Sequence, residues 1–175
     1  MDILSSISRL FKKPSKDNAK RSRNWKRPLK ALAQCQSPQE MEELAQTIVQ
    51  VGDRNAAHGL VMLVIQSYQR GTEAAEKRKE LEKQLALNPQ ALLMERLRKE
   101  TNIITIGYDP QRISSPLEDL NEVVGRHFTR GHTALDALIG LKATEEIQAL
   151  LDNPALERYR DNFVSALKEI QKASK

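Results

Sequence analysis

The chain has 175 residues, 39% of them apolar and 29% charged, which supplies one hydrophobic core and excludes a disordered composition. A single cysteine, Cys35, excludes an internal disulfide framework, and no apolar run reaches the ~18 residues of a membrane span. No signal-peptide core precedes a small-residue cleavage site, so a cytoplasmic location is expected. The net charge of +5 is unevenly spread: residues 1–30 carry ten Lys and Arg against Asp2 and Asp17, a net +8, and the other 145 carry 18 basic against 21 acidic, a net −3. Basicity confined to one end points to an anionic partner for that end.

Residues 2–12 place Ile3, Leu4, Ile7, Leu10 and Phe11 within an arc of roughly 120° at 100° per residue, with Ser5, Arg9, Lys12 and Lys13 outside it. This is an amphipathic helix too short to persist alone in water. Pro14 ends it, and residues 14–24 read as a flexible, solvated linker. The division expected is an N-terminal arm and linker, 1–24, and a helical domain, 25–175.

Trp25 opens the domain. Ser37-Pro38-Gln39-Glu40 has the grammar of a helix start: serine as cap, proline at the first position, glutamate three residues on to complete a capping box. The helix that follows stops near Gly52. The next, from about Asn55 to Gln69, is apolar on nearly every side and is expected to be the most buried, ending at Gly71-Thr72. Residues 73–87 read as a separate, solvated helix whose two seam leucines, Leu81 and Leu85, are too few for a coiled coil. After Asn88-Pro89 comes a helix from about Gln90 to Glu100, then the long non-helical segment 102–115, with a short strand possible at Ile103–Ile106. Ser115-Pro116-Leu117-Glu118 repeats the capping grammar and launches a helix to Arg130, ended by Gly131. Helices at about 133–141, 144–151 and 154–173 complete the chain. The expected fold is all-α: a compact irregular bundle of about eight helices, with a short irregular α-solenoid as the alternative.

Chemistry-bearing residues are sparse. Cys35 lies in a Leu/Ala-rich stretch and reads as a small buried hydrophobe rather than a reactive thiol. His127, His132, Asp136 and Glu122 are the available metal ligands, but the two histidines straddle Gly131 and lack the four-residue register of zinc-binding helices, so no metal is expected. His58, on the apolar helix, reads as a packing or interhelical residue. No phosphate-binding glycine loop is present, and Glu145-Glu146 suit a helix N-terminus. The expectation is a protein without catalytic residues or cofactor and without a small-molecule substrate. Within 102–115, Tyr108, Asp109 and Arg112 are the candidate partner-binding side chains, with Arg126, Arg130 and the nearby histidines extending a basic patch beside them.

Four readings compete for the arm. On a membrane, Ile3, Leu4, Ile7, Leu10 and Phe11 enter the headgroup boundary while Lys12, Lys13 and Lys16, followed by Lys20, Arg21, Arg23, Lys26 and Arg27, lie over anionic lipid. The others are a protein groove, nucleic acid and a targeting or secretion signal. Nucleic acid leaves the apolar stripe without a role, and the basic stretch from Lys12 on has no interleaved aromatic before Trp25 for base stacking. The membrane reading uses both stripe and charge. The expected function is that of a non-enzymatic adaptor or effector module, cytoplasmic and peripheral to an anionic membrane, that binds a protein partner; a nucleic-acid-associated regulator is the alternative.

Overall fold

A computed structural model describes residues 25–88, 90, 93, 94, 97 and 116–173. They form α1 (Lys26–Gln34), α2 (Pro38–Val51), α3 (Asn55–Leu87), α4 (Pro116–Gly140), α5 (Thr144–Leu151), a 3₁₀ turn (Pro154–Tyr159) and α6 (Arg160–Lys172), with no strand among the described residues. The all-α class holds. Among the described residues there are six α-helices: some expected as separate are continuous, and one was not expected.

Gly71-Thr72 does not break α3, which runs 33 residues, about 50 Å at the usual rise. Nor does Gly131 end α4, which runs 25. Both glycines are contact points between these two helices. A Cβ on Gly71 would sit 3.0 Å from the Phe128 ring, and one on Gly131 would sit 3.4 Å from Ser67 Cβ and 3.6 Å from the Tyr68 ring. An interior glycine costs a helix up to ~1 kcal/mol against alanine, and here it lets two backbones approach. Thr72 also stays helical, its hydroxyl donating to Tyr68 O at 2.9 Å and meeting the Tyr159 hydroxyl at 2.6 Å. Because Gly71 faces Phe128 while Ser67 and Tyr68 face Gly131, the two helices run antiparallel.

One seam then runs along each helix at alternating three- and four-residue steps: Leu60, Val64, Ser67, Gly71, Ala74, Arg78, Leu81 and Leu85 on α3, and Leu117, Leu120, Val124, His127, Gly131, Ala134 and Leu138 on α4. Leu81 and Leu85 are thus the end of a coiled-coil-like seam. It was illegible while Gly71 counted as a break. Burial is uneven along it: the buried residues of α3 lie between Ala56 and Ala74, those of α4 between Arg130 and Leu138, and residues 75–87 and 116–129 are half-buried at most.

The remaining helices gather on the buried half, and α1, α2, α5 and α6 each contact α3 or α4. That is a bundle about a central hairpin; a solenoid repeat would touch its sequence neighbours alone. Leu60, Val61, Leu63, Val64 and Ile65 are all buried, as expected of the most apolar segment. Ser37 caps α2 by accepting from Glu40 N at 3.5 Å, but the Glu40 carboxylate accepts from the Cys35 thiol at 3.1 Å, so half of the capping box is diverted. Gly52, at φ 65°, ends α2 in the left-handed conformation that glycine adopts without strain. α1 lies ahead of the first helix read from the sequence within the domain, and the last helix opens as a 3₁₀ turn with Asn153 accepting from Ala155 N at 3.0 Å. Of the helix expected at 90–100, Gln90, Leu93, Met94 and Leu97 are described, and all are helical.

Candidate functional site

Two polar clusters organise the described residues. The first surrounds Arg130, which is 8% exposed. Its Nε donates to Leu32 O at 3.1 Å and its Nη2 to Cys35 O at 2.5 Å, so one guanidinium satisfies carbonyls at the C-terminal end of α1, where the helix leaves them unpaired and a cation suits the dipole. Nη1 stands 3.5 Å from His127 Nδ1. Burial first, and then Arg130, Arg70 and Arg126, hold the His127 pKa below the ordinary histidine value. Arg70 on α3 and Arg126, His127 and Arg130 on α4 therefore form one basic cluster, with Glu73 the acidic side chain that acts on His127 against them.

The second cluster is built on Tyr68, fully buried in α3. Its hydroxyl lies 3.1 Å from His132 Nδ1 and accepts from Asn162 Nδ2 at 3.4 Å, while its ring stacks on Tyr159 at 4.3 Å between centroids and meets Phe163 edge-on at 6.0 Å. Asp136 follows His132 by one helical turn. Burial raises its pKa, His132 lowers it, and Glu169 and Glu42 raise it. A hydroxyl, an imidazole and a carboxylate in sequence resemble acid–base machinery. Here, however, desolvation pushes the Tyr68 pKa up to about 12, away from the operating range of a proton donor or nucleophile. The hydroxyl joins α3, α4 and α6.

Lys26 and Arg27, read from the sequence as part of the basic linker, stand exposed on helix α1. Ile3, Leu4, Ile7, Leu10, Phe11, Lys12, Lys13, Lys16, Lys20, Arg21 and Arg23 lie outside the described residues, as do Tyr108, Asp109, Arg112 and the candidate strand 103–106. Cys35 is 7% exposed, and burial first, then its hydrogen bond to Glu40, raises its pKa, as fits a buried hydrophobe. His58 stands exposed on α3, where the residues facing the core are Ala56, Ala57 and Leu60. No group of three His, Cys, Asp or Glu side chains among the described residues is placed to hold a metal ion.

Sequence reasoning did not find Arg70 or the Tyr68 network. Arg70 reads as one more charge on a helix, and its partners lie more than fifty residues away. The scarcity of aromatics, three Tyr, three Phe and one Trp, was the available signal: Tyr68, Phe128, Tyr159 and Phe163 are in ring contact with one another. Two clefts flank these features. One of about 480 Å³ lies between α2 and α4 and includes Glu42 and Asp136; one of about 740 Å³ lies beside Tyr159 and includes Thr72 and Arg158. Among the described residues no helix is long and apolar enough to cross a membrane. No protein-family model, curated protein or solved structure matches the chain.

Proposed function

We propose that the chain is a helical interaction module held reversibly at an anionic membrane surface by its N-terminal arm. The observation that carries this reading is charge placement. The +8 of residues 1–30 extends onto the folded domain, where Lys26, Arg27 and Lys30 are all exposed on α1, while the rest of the chain is net negative. Lipid would meet a short apolar stripe and a run of cations together; each nearby Lys or Arg adds ~1 kcal/mol of attraction to an anionic leaflet, and the stripe alone binds weakly. The adaptor half of the reading draws on the other end of the hairpin, where Leu87 is 85% exposed and Leu93 and Met94 are each 57% exposed. Large exposed apolar side chains of this kind are the raw material of surfaces that meet partners.

Co-sedimentation with vesicles tests the membrane half. The full chain should pellet with phosphatidylcholine–phosphatidylserine vesicles and not with phosphatidylcholine alone, and Ile7→Asp with Phe11→Asp should abolish pelleting. Equal binding to both vesicle types would overturn the proposal.

The Arg70, Arg126, His127 and Arg130 cluster favours a second reading, a nucleic-acid-associated regulator. Lys and Arg supply a phosphate attraction that needs no base contact and falls steeply with salt. A mobility shift that persists in the Ile7→Asp, Phe11→Asp chain and is lost in Arg70→Glu, Arg126→Glu would select it.

A further inference from the structure

We infer that the groove between α1 and α3 receives the acyl chain of an anionic phospholipid. The inference rests on the membrane reading and gives the folded domain its own lipid contact. The groove has a volume of about 300 Å³, at the small end of ligand sites. Its walls are Trp25, Leu29 and Met62, its floor is Gly59, and its rim carries Lys26 and Lys30. Gly59 sets the close approach, since a Cβ there would overlap the Leu29 side chain. Lys26, Lys30 and Ala33 are exposed on α1 and Met62 is half-buried on α3.

Charge complementarity selects the occupant. No acidic side chain among the described residues lines the groove. An apolar trough under two ammonium groups suits a hydrocarbon chain with an anionic head. It disfavours this chain's own arm, whose Lys12, Lys13 and Lys16 would meet Lys26 and Lys30 with like charge. A second, independent observation concerns Trp25. Its Nε1 is the buried side-chain polar atom among the described residues that lacks a hydrogen-bond partner, although Lys26 Nζ lies 5.8 Å above its ring. A buried N–H without an acceptor is costly, so the groove is bordered by a residue with an unmet hydrogen-bonding capacity. The groove also opens at the residue where the basic run enters the domain, so a chain drawn to lipid by its arm would bring this trough to the same leaflet.

The experiment uses the single tryptophan of the chain as reporter. Full-length protein is mixed with phosphatidylcholine–phosphatidylserine vesicles whose acyl chains are brominated near the headgroup. Trp25 emission should be quenched several-fold, and Ala33→Glu, on the exposed face of α1, should remove most of the quenching while pelleting and helical circular dichroism persist. Pelleting without quenching, or quenching unchanged in Ala33→Glu, would overturn the groove and leave the arm reading standing. In the reverse arm, the Ile7→Asp, Phe11→Asp chain is titrated with a short-chain soluble phosphatidylserine below its micelle concentration. A saturable blue shift of Trp25, lost in Ala33→Glu, would establish the groove even where vesicle pelleting has failed. No shift would overturn it.

Discussion

At the scale of single residues, the described part of the chain depends on a few polar side chains that reach between helices. Arg130 joins α4 to the end of α1 through two carbonyls. Replacing it with leucine leaves both acceptors buried without a donor, so Arg130→Leu should lower unfolding free energy by about 2–3 kcal/mol in urea titrations. Tyr68 makes a pH-dependent contribution. The folded state holds its proton up to about 12, whereas an unfolded tyrosine loses it near 10. Between those values the folded state binds more proton than the unfolded one, so stability falls as pH rises, by up to about 1.4 kcal/mol per pH unit. Tyr68→Phe should cost about 1 kcal/mol at neutral pH and flatten that decline in alkaline denaturation curves. His127 has the opposite slope. Its folded pKa is depressed, by burial first and by Arg130, Arg70 and Arg126 after it. The unfolded state therefore takes up the proton first as pH falls through about 6.5. His127→Gln should lose part of the destabilisation seen between pH 7 and the lowered value, read from thermal melts across that window.

At the scale of elements, glycine placement separates contact from punctuation. Gly125 lies inside α4 with nothing among the described residues within 4 Å of where a Cβ would be. Gly125→Ala should therefore raise stability by about 0.5–1 kcal/mol, the difference in helix propensity alone. Gly71 sits the same way in α3, but its missing Cβ faces the Phe128 ring at 3.0 Å. Gly71→Leu should force the hairpin apart and lower stability by several times the Gly125 gain, with a reduced melting temperature. Equal effects at the two positions would mean that the α3–α4 approach is not set by Gly71.

At the scale of the whole molecule, electrostatics and packing act on different parts. The ion pairs among the described residues, Arg78–Glu82 and Arg160–Glu157, are exposed i,i+4 and i,i+3 pairs on single helices, and such pairs contribute ~0–1 kcal/mol. Stability of the helical domain should change little between low and high salt. The proposed membrane association draws on ten cations at one end of the chain and should weaken steeply as the Debye length falls from ~10 Å at 0.1 M to ~3 Å at 1 M. Thermal melts and vesicle pelleting over one salt series would show the two behaviours apart; parallel loss of both would contradict this separation.

The all-α class, the start of α2 at Ser37-Pro38, its stop at Gly52 and the burial of the 60–65 stretch follow from the sequence alone, because caps, left-handed glycine and helical periodicity act over a few residues. The uneven charge was equally plain, since it needs no fold to be counted. What only the tertiary structure decided is whether a glycine ends a helix or lets a second helix approach. Gly71 and Gly131 have the same local chemistry as a stop, and what distinguishes them is Phe128, Ser67 and Tyr68, up to 64 residues away. The same holds for the basic cluster that joins Arg70 to Arg130, for the Tyr68 network and for the α1–α3 groove: each is made where distant segments of the chain pack together, and that packing is settled by the whole core.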